Sequence, residues 1–395
     1  MVGQSGGPTA VINASLAGVI SEAHAAGYAR VLGMRSGVLG GLQRALVDLS
    51  DLAAADLQRL KHTPSAALGS CRYRLKDGDA ERLAALCLDE AVEAFVYIGG
   101  NDSADTSLQV ARAAGERVRV VGVPKTIDND LAGTDHAPGY GSAARFLAQT
   151  TRETALDTWA MRATDPIRLI EVMGRHAGWL PGATWLARQT ETDAPHLVYV
   201  PEHPLDIERI VSDVRGVYRS LGWCVVVLCE NQPTPDGRVI GAGGQPRWVD
   251  PFGHAYYDSP AAWLTQRLQT DLGVRVRFDK PGTIQRMATA YVSTTDRAEA
   301  EMVGREAVRL AARGVSGVMV SLERAPGAEY CAQTGTTPLE VVANQQKRLP
   351  PDFIASSGAG LTQAFVHYAT PLIGEPLPVF ERLGAAAGTE VPDTT

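Results

Sequence analysis

The 395-residue chain predicts an α/β fold of mainly parallel sheets, and three observations carry that prediction. Short, uninterrupted apolar runs alternate with segments of helical periodicity, the pattern of βαβ units whose strands are buried on both faces. The runs end in turns rich in glycine, proline or aspartate, where strands leave a sheet. Glycine is in surplus at 40 residues, against about 7% in average proteins. With 23 prolines the chain still falls short of low-complexity composition, so the surplus belongs to particular turns.

The elements follow in chain order. Gly3 to Thr9 (GQSGGPT) reads as a glycine-rich loop, with only Met1 and Val2 where a strand is expected. Either that strand is truncated or the start is late. Val11, Ile12, Leu16, Val19, Ile20 and Ala23 then recur at helical spacing. Ala94–Ile98 is a buried strand ending at Gly99-Gly100, and Asp102 or Ser103 is a candidate cap for a helix that closes at Gly115. Val118–Val123 is a strand stopped by Pro124, and Gly141–Met161 is a long helix. Strands follow at Arg168–Met173 and His196–Val200, a helix at Asp206–Leu221, and a strand at Cys224–Cys229. At about 150 residues per domain the length suits two or three domains. Residues 325–380 show no pattern that places them.

Composition excludes several classes. The chain has 37 basic and 44 acidic residues, a net charge of −7, which argues against a nucleic-acid surface. It leaves room for anionic ligands held by a few local arginines. No run of about 18 apolar residues predicts a membrane span, and MVGQSGGPTAV lacks the pattern of a signal peptide. The five cysteines (Cys71, Cys87, Cys224, Cys229, Cys331) are scattered, which suits a reduced, cytoplasmic compartment. The eight histidines show no metal-ligand spacing.

Three strand-end loops can carry chemistry, because ligands of open α/β sheets sit beyond the carboxyl ends of strands. Gly3–Thr9 offers backbone N–H groups to a phosphate, although a tight turn is the plain alternative. In Gly99–Ser103, Asn101 and Asp102 offer oxygens to a hard cation, while capping suits Asp102 equally well. Pro124–Asp130 (PKTIDND) sets two carboxylates two residues apart beside Lys125 and Thr126. Such carboxylates can divide proton transfer and Mg²⁺ binding, and a lysine can neutralise a transferring phosphoryl group. An Asx-rich turn is the alternative there. Arg72, Arg175, Arg277 and Arg286 are candidate phosphate-binding arginines, against a solvated face.

Taken together, these segments resemble the phosphofructokinase family. The matching motifs are SGGPTAVIN (5–13), GSCRY (69–73), GGNDS (99–103), PKTIDND (124–130), GTDHAPGYGSA (133–143), EVMGRHAG (171–178) and GTIQR (282–286). The resemblance implies phosphoryl transfer to the 1-hydroxyl of fructose 6-phosphate. The ATP-using branch has glycine where this chain has Asp102 and Lys125, so the pair looks like the pyrophosphate-dependent branch. An aspartate fills space that the ATP α-phosphate would use, and the lysine adds a cation for compact pyrophosphate.

The resemblance also implies roles. Asp128 is the base, with Lys125 and Asp102 catalytic beside it. Gly6, Gly7, Arg72 and Lys125 meet pyrophosphate. Thr126, Ile127, Asp128, Met173, Gly174, Arg175, Glu230, Arg277, Thr283 and Arg286 meet the sugar phosphate. Asn101 and Asp130 lie at the metal, expected to be Mg²⁺. Asn101 stands where the ATP branch commonly has aspartate, and Thr283 where relatives often carry His or Tyr. Pro166 replaces one cross-subunit arginine of the ATP branch, and Arg277 resembles another, which implies a homodimer or homotetramer.

The expected architecture is two Rossmann-like three-layer domains facing across a cleft. Residues 1–137 with about 285–315 form the phosphoryl-donor domain, 138–284 with about 316–383 the sugar-phosphate domain, and 384–395 a loose tail. The partners expected are pyrophosphate and fructose 6-phosphate, with no nucleic acid and no membrane. Two alternatives on the same fold are an ATP-dependent kinase of this or another sugar phosphate and a non-catalytic regulatory subunit.

Overall fold

The computed structural model describes residues 1–383 except 244, 251, 252, 254 and 328; the expected tail, 384–395, lies outside the described residues. Its strands are β1 (Val2–Gln4), β2 (Leu32–Met34), β3 (Leu46–Asp48), β4 (Ala94–Gly99), β5 (Arg119–Pro124), β6 (Ile167–Val172), β7 (Leu197–Val198), β8 (Cys224–Cys229), β9 (Trp248–Val249), β10 (Ala255–Tyr256), β11 (Val276–Asp279), β12 (Val318–Arg324) and β13 (Ala332–Pro338). A seven-stranded sheet runs β13-β12-β5-β4-β1-β2-β3, parallel except for its two outer pairs. A four-stranded sheet, β11-β6-β8-β7, is parallel throughout. β9 and β10 form a separate antiparallel hairpin.

β4, β5 and β8 are apolar runs with no polar face, as strands covered by helices on both sides require. Helices at Ile12–Ala25 and Thr294–Ala312 cover one face of the larger sheet, with Ile12, Leu16, Ile20, Val303 and Ala307 packed on Val96, Val121 and Val320. Helix Tyr140–Ala160 packs Ala144, Leu147 and Ala148 with Ile170, Val172 and Val227 of the smaller sheet. No helix among the described residues is long and apolar enough to cross a membrane.

The structure corrects three expectations. The first strand is present: Val2–Gln4 lies between β2 and β4, so Gly3 is a strand residue and the loop starts at Ser5. A Cβ on Gly3 would come within 2.6 Å of Met34 and 2.9 Å of Tyr97, so this central strand has no room for a side chain there. Asp102 and Ser103 do not cap the helix that follows β4. That helix spans Asn101–Ala114, its cap is Gly100, and Asp102 falls in its first turn. Finally, residues 318–338 belong to the larger sheet. β12 pairs with β5, and its Val320 and Leu322 pack with Val121 and Val123. Farther along, Leu361, Phe365 and Leu372 do pack with the smaller sheet's core.

Candidate active site

Parallel pairing brings three loops together. Gln4 of β1 lies opposite Ile98 of β4, and Gly99 of β4 opposite Pro124 of β5. The chain leaves all three carboxyl ends side by side, at Ser5, Gly100 and Lys125. Backbone bonds hold the exits in place: Ser5 N–H donates to Ile98 at 2.9 Å, and Lys125 N–H to Gly99 at 3.0 Å. The loop that carries Arg72 joins them, since Gly6 N–H donates to Cys71 (3.1 Å) and the Ser70 hydroxyl to Gly6 (2.6 Å).

The smaller sheet supplies the facing wall. Val172 of β6 lies opposite Cys229 of β8, so the loops that start at Met173 and Glu230 are neighbours. Between the two walls lies a cleft of about 770 Å³, open mouth included. Gly6, Gly7, Arg72, Asn101, Asp102, Lys125, Thr126, Asp128, Asp130 and Arg175 line it.

Its chemistry is crowded positive charge around a glycine turn, next to three carboxylates. Lys125, almost fully buried, donates Nζ to the Gly7 carbonyl at 2.8 Å. A Cβ on Gly7 would lie 2.7 Å from Arg286 Nη1 and 3.9 Å from Arg72 Nη2. Gly6 has a φ of +73°, so this turn suits glycine on both counts. Burial, joined by repulsion from Arg286, brings the Lys125 ammonium down to about 8. Cations packed this closely favour a compact polyanion between them.

The PKTIDND loop is fixed by its own side chains. Asp128 N–H donates to Thr126 Oγ1 at 3.1 Å, and Thr126 Oγ1 donates to Asp130 at 3.4 Å. Buried Asn129 has a φ of +53°, a conformation asparagine tolerates. It accepts Ala137 N–H (3.1 Å) and donates to the Tyr368 hydroxyl (2.9 Å). Asp128 is turned to the cleft and Asn129 to the core. Burial raises the Asp128 carboxyl above its ordinary range. Burial, with Asp128 beside it, raises Asp130 to about 7.

The remaining residues divide. Arg175 reaches the cleft and faces Glu230 at 3.7 Å, and burial pushes the Glu230 carboxyl up to about 7 against the pull of Arg175. Met173 N–H donates to buried Gln285 (3.2 Å), which ties the Gly174–Arg175 turn to the segment bearing Arg286. Ile127 is buried in the core. Thr283 is exposed, and Arg277 lies outside the cleft lining, half exposed and paired with buried Asp165 at 2.7 Å. Near Pro166, Arg168 pairs with Asp157 and Asp279, and Arg162 stacks on Trp159.

Among the described residues, no three acidic, histidine or cysteine side chains converge on one point as a metal cage. Asn101 Oδ1 accepts Asp102 N–H at 2.9 Å, and its amide faces the Gln345 carbonyl at 3.4 Å. The donor set therefore suits a hard cation that brings most of its ligands with it, as Mg²⁺ on a phosphate does.

Sequence reasoning missed the hairpin β9–β10. Arg72 pairs with buried Asp250 and donates to the Tyr256 hydroxyl at 2.7 Å. Nothing in either segment signals a contact across 178 and 184 residues.

The chain is similar to known proteins over nearly its whole length. The family model described as Phosphofructokinase matches residues 1–311. A pyrophosphate–fructose 6-phosphate 1-phosphotransferase of Xanthomonas campestris pv. campestris (strain B100) is 43% identical over 94% of this chain and 90% of its own length. The crystal structure of a pyrophosphate-dependent phosphofructokinase from Marinobacter aquaeolei superposes with a TM-score of 0.84 at 36% identity, covering 96% of this chain and 93% of that one. One from Nitrosospira multiformis gives 0.86 at 34% identity, covering 100% and 95%.

Proposed function

The chain belongs to the phosphofructokinase family, and on that premise we propose that it transfers a phosphoryl group from pyrophosphate to the 1-hydroxyl of fructose 6-phosphate, reversibly. The products are fructose 1,6-bisphosphate and phosphate. One observation carries the choice of donor: Lys125 and Arg72 converge on the Gly6–Gly7 turn in the cleft that Asp128 lines. That cluster matches two linked phosphates in size and charge.

In this reading Asp128 accepts the proton of the sugar 1-hydroxyl as that oxygen attacks the near phosphorus. The bridging P–O bond breaks and phosphate leaves. Lys125 and Arg72 hold the charge that collects on the departing group, and Arg175, Glu230, Arg286 and the Met173–Gly174 turn hold the sugar phosphate. The work is positioning and neutralisation rather than covalent catalysis. Asp102 and Asp130, with Asn101 beside them, would hold Mg²⁺ carried in by pyrophosphate; when bound, it lowers the charge of the phosphates. Thr126 orients the loop. The exposed position of Arg277 supports a role across a subunit boundary, in a cytoplasmic homodimer or homotetramer.

The test is a donor comparison. Purified protein is given fructose 6-phosphate and Mg²⁺ with either pyrophosphate or ATP. Turnover with pyrophosphate and little with ATP is expected. Turnover with ATP alone overturns the assignment of Asp102 and Lys125.

A further inference from the structure

We propose that Tyr256 is a positioning residue that holds the donor-side Arg72 and the sugar-side Arg175 on two different parts of one side chain. The inference rests on the function proposed above. Tyr256 lies on β10 of the hairpin, outside every motif that carries the family resemblance. Its hydroxyl accepts from Arg72 Nη1 at 2.7 Å, and the Arg175 guanidinium lies 4.8 Å from the centre of its ring. Trp248, its partner across the hairpin, packs against the ring at 5.0 Å between centres, which restrains the tyrosine.

The choice of side chain has a physical reason. An arginine free to sample its rotamers must be ordered before it can grip a phosphate, and that entropy weakens binding. A carboxylate orders an arginine but also neutralises it, as Asp250 does on Arg72. A phenol orders two arginines at once, one by a hydrogen bond and one by its π-face, and itself neutralises neither. The two contacts are chemically separable, because phenylalanine keeps the face and loses the acceptor.

The experiment compares wild type, Tyr256→Phe and Tyr256→Leu. Steady-state KM values for pyrophosphate and fructose 6-phosphate are measured, and binding of each compound is followed by calorimetry. Loss of an acceptor from a charged donor predicts that Tyr256→Phe weakens pyrophosphate about tenfold while fructose 6-phosphate changes less than about twofold. Tyr256→Leu weakens pyrophosphate equally and fructose 6-phosphate by a further ~3-fold, as loss of a cation–π contact predicts. Rescue of the sugar side alone by phenylalanine is the signature, since a merely structural tyrosine moves both ligands together. Unchanged pyrophosphate binding in Tyr256→Phe, or equal weakening of both ligands in it, overturns the inference. A wild type that binds both compounds and turns over neither overturns the function proposed above instead, and the binding split then decides Tyr256 alone.

Discussion

The Lys125 ammonium donates to the carbonyl of Gly7 at 2.8 Å, so the loop after β5 reaches across β4 to the loop after β1. That one bond joins the glycine turn to the segment that carries Asp128 and Asp130. It also commits a buried cation to a place where Arg72 and Arg286 already crowd it. The arrangement is poor for folding and good for binding an anion.

The first prediction concerns pH. Lys125 keeps its proton below about 8 and loses it above. kcat/KM for pyrophosphate reports the free enzyme, so it should fall as pH rises through that value. Bound pyrophosphate favours the protonated lysine, so the limb in kcat should lie at higher pH. In Lys125→Arg the cation does not titrate in this range, and the falling limb should move upward. A limb that stays near pH 8 in that variant assigns it to another group.

The second concerns stability. A lysine of ordinary pKa 10.5 that drops to about 8 on folding is bound less tightly by its proton in the native state. Below pH 8 both states are protonated and the native state carries the full cost of a buried charge; the cost fades as pH rises from 8 to 10.5. Lys125→Met removes it at pH 7. The variant should unfold at a Tm no lower than wild type while losing pyrophosphate-dependent turnover. A clearly lower Tm in scanning calorimetry would sink this account.

A third prediction isolates the base. Asp128→Asn keeps size and most hydrogen-bonding capacity and removes the proton acceptor. Turnover should fall by about 10²–10⁴-fold, the usual contribution of a general base. Calorimetric affinity for fructose 6-phosphate should stay within a few-fold. Near-normal turnover rules Asp128 out.

The site was legible in the sequence where chemistry is local. PKTIDND, GGNDS and SGGPT each keep their residues within one strand-end loop, and parallel pairing then brings the three ends together. What was not legible depends on distant contacts. Tyr256 and Asp250 meet Arg72 only through the folded hairpin, whose Trp248 and Val249 stay exposed and so leave no burial pattern to read. Residues 318–338 escaped for a related reason: β13 is polar and half exposed, an edge strand defined by pairing to β12 rather than by its own composition. Asp102 misled because a residue suited to capping can sit in the first turn of the helix when Gly100 takes the cap.

The last prediction separates two glycines that look alike in sequence, each inside a helix. Gly304, in Thr294–Ala312, faces the helix Ile12–Ala25, and a Cβ there would lie 2.1 Å from the Ser15 carbonyl oxygen. Gly18 answers it from the other helix, 2.3 Å from the Glu301 carbonyl. Both obstacles are backbone, so no side chain can swing aside, and the helices must part along Val303 and Ala307, which cover the larger sheet. Gly304→Ala should therefore cost at least the ~1–3 kcal/mol of ordinary overpacking. Gly216 is exposed in Ile207–Leu221, and a Cβ there meets nothing within 4 Å. Gly216→Ala only reduces the freedom of the unfolded chain and should stabilise by ~0.5–1 kcal/mol. Urea midpoints of the two variants should move in opposite directions from wild type; a midpoint for Gly304→Ala at or above wild type shows that the helix crossing is not as tight as these distances require.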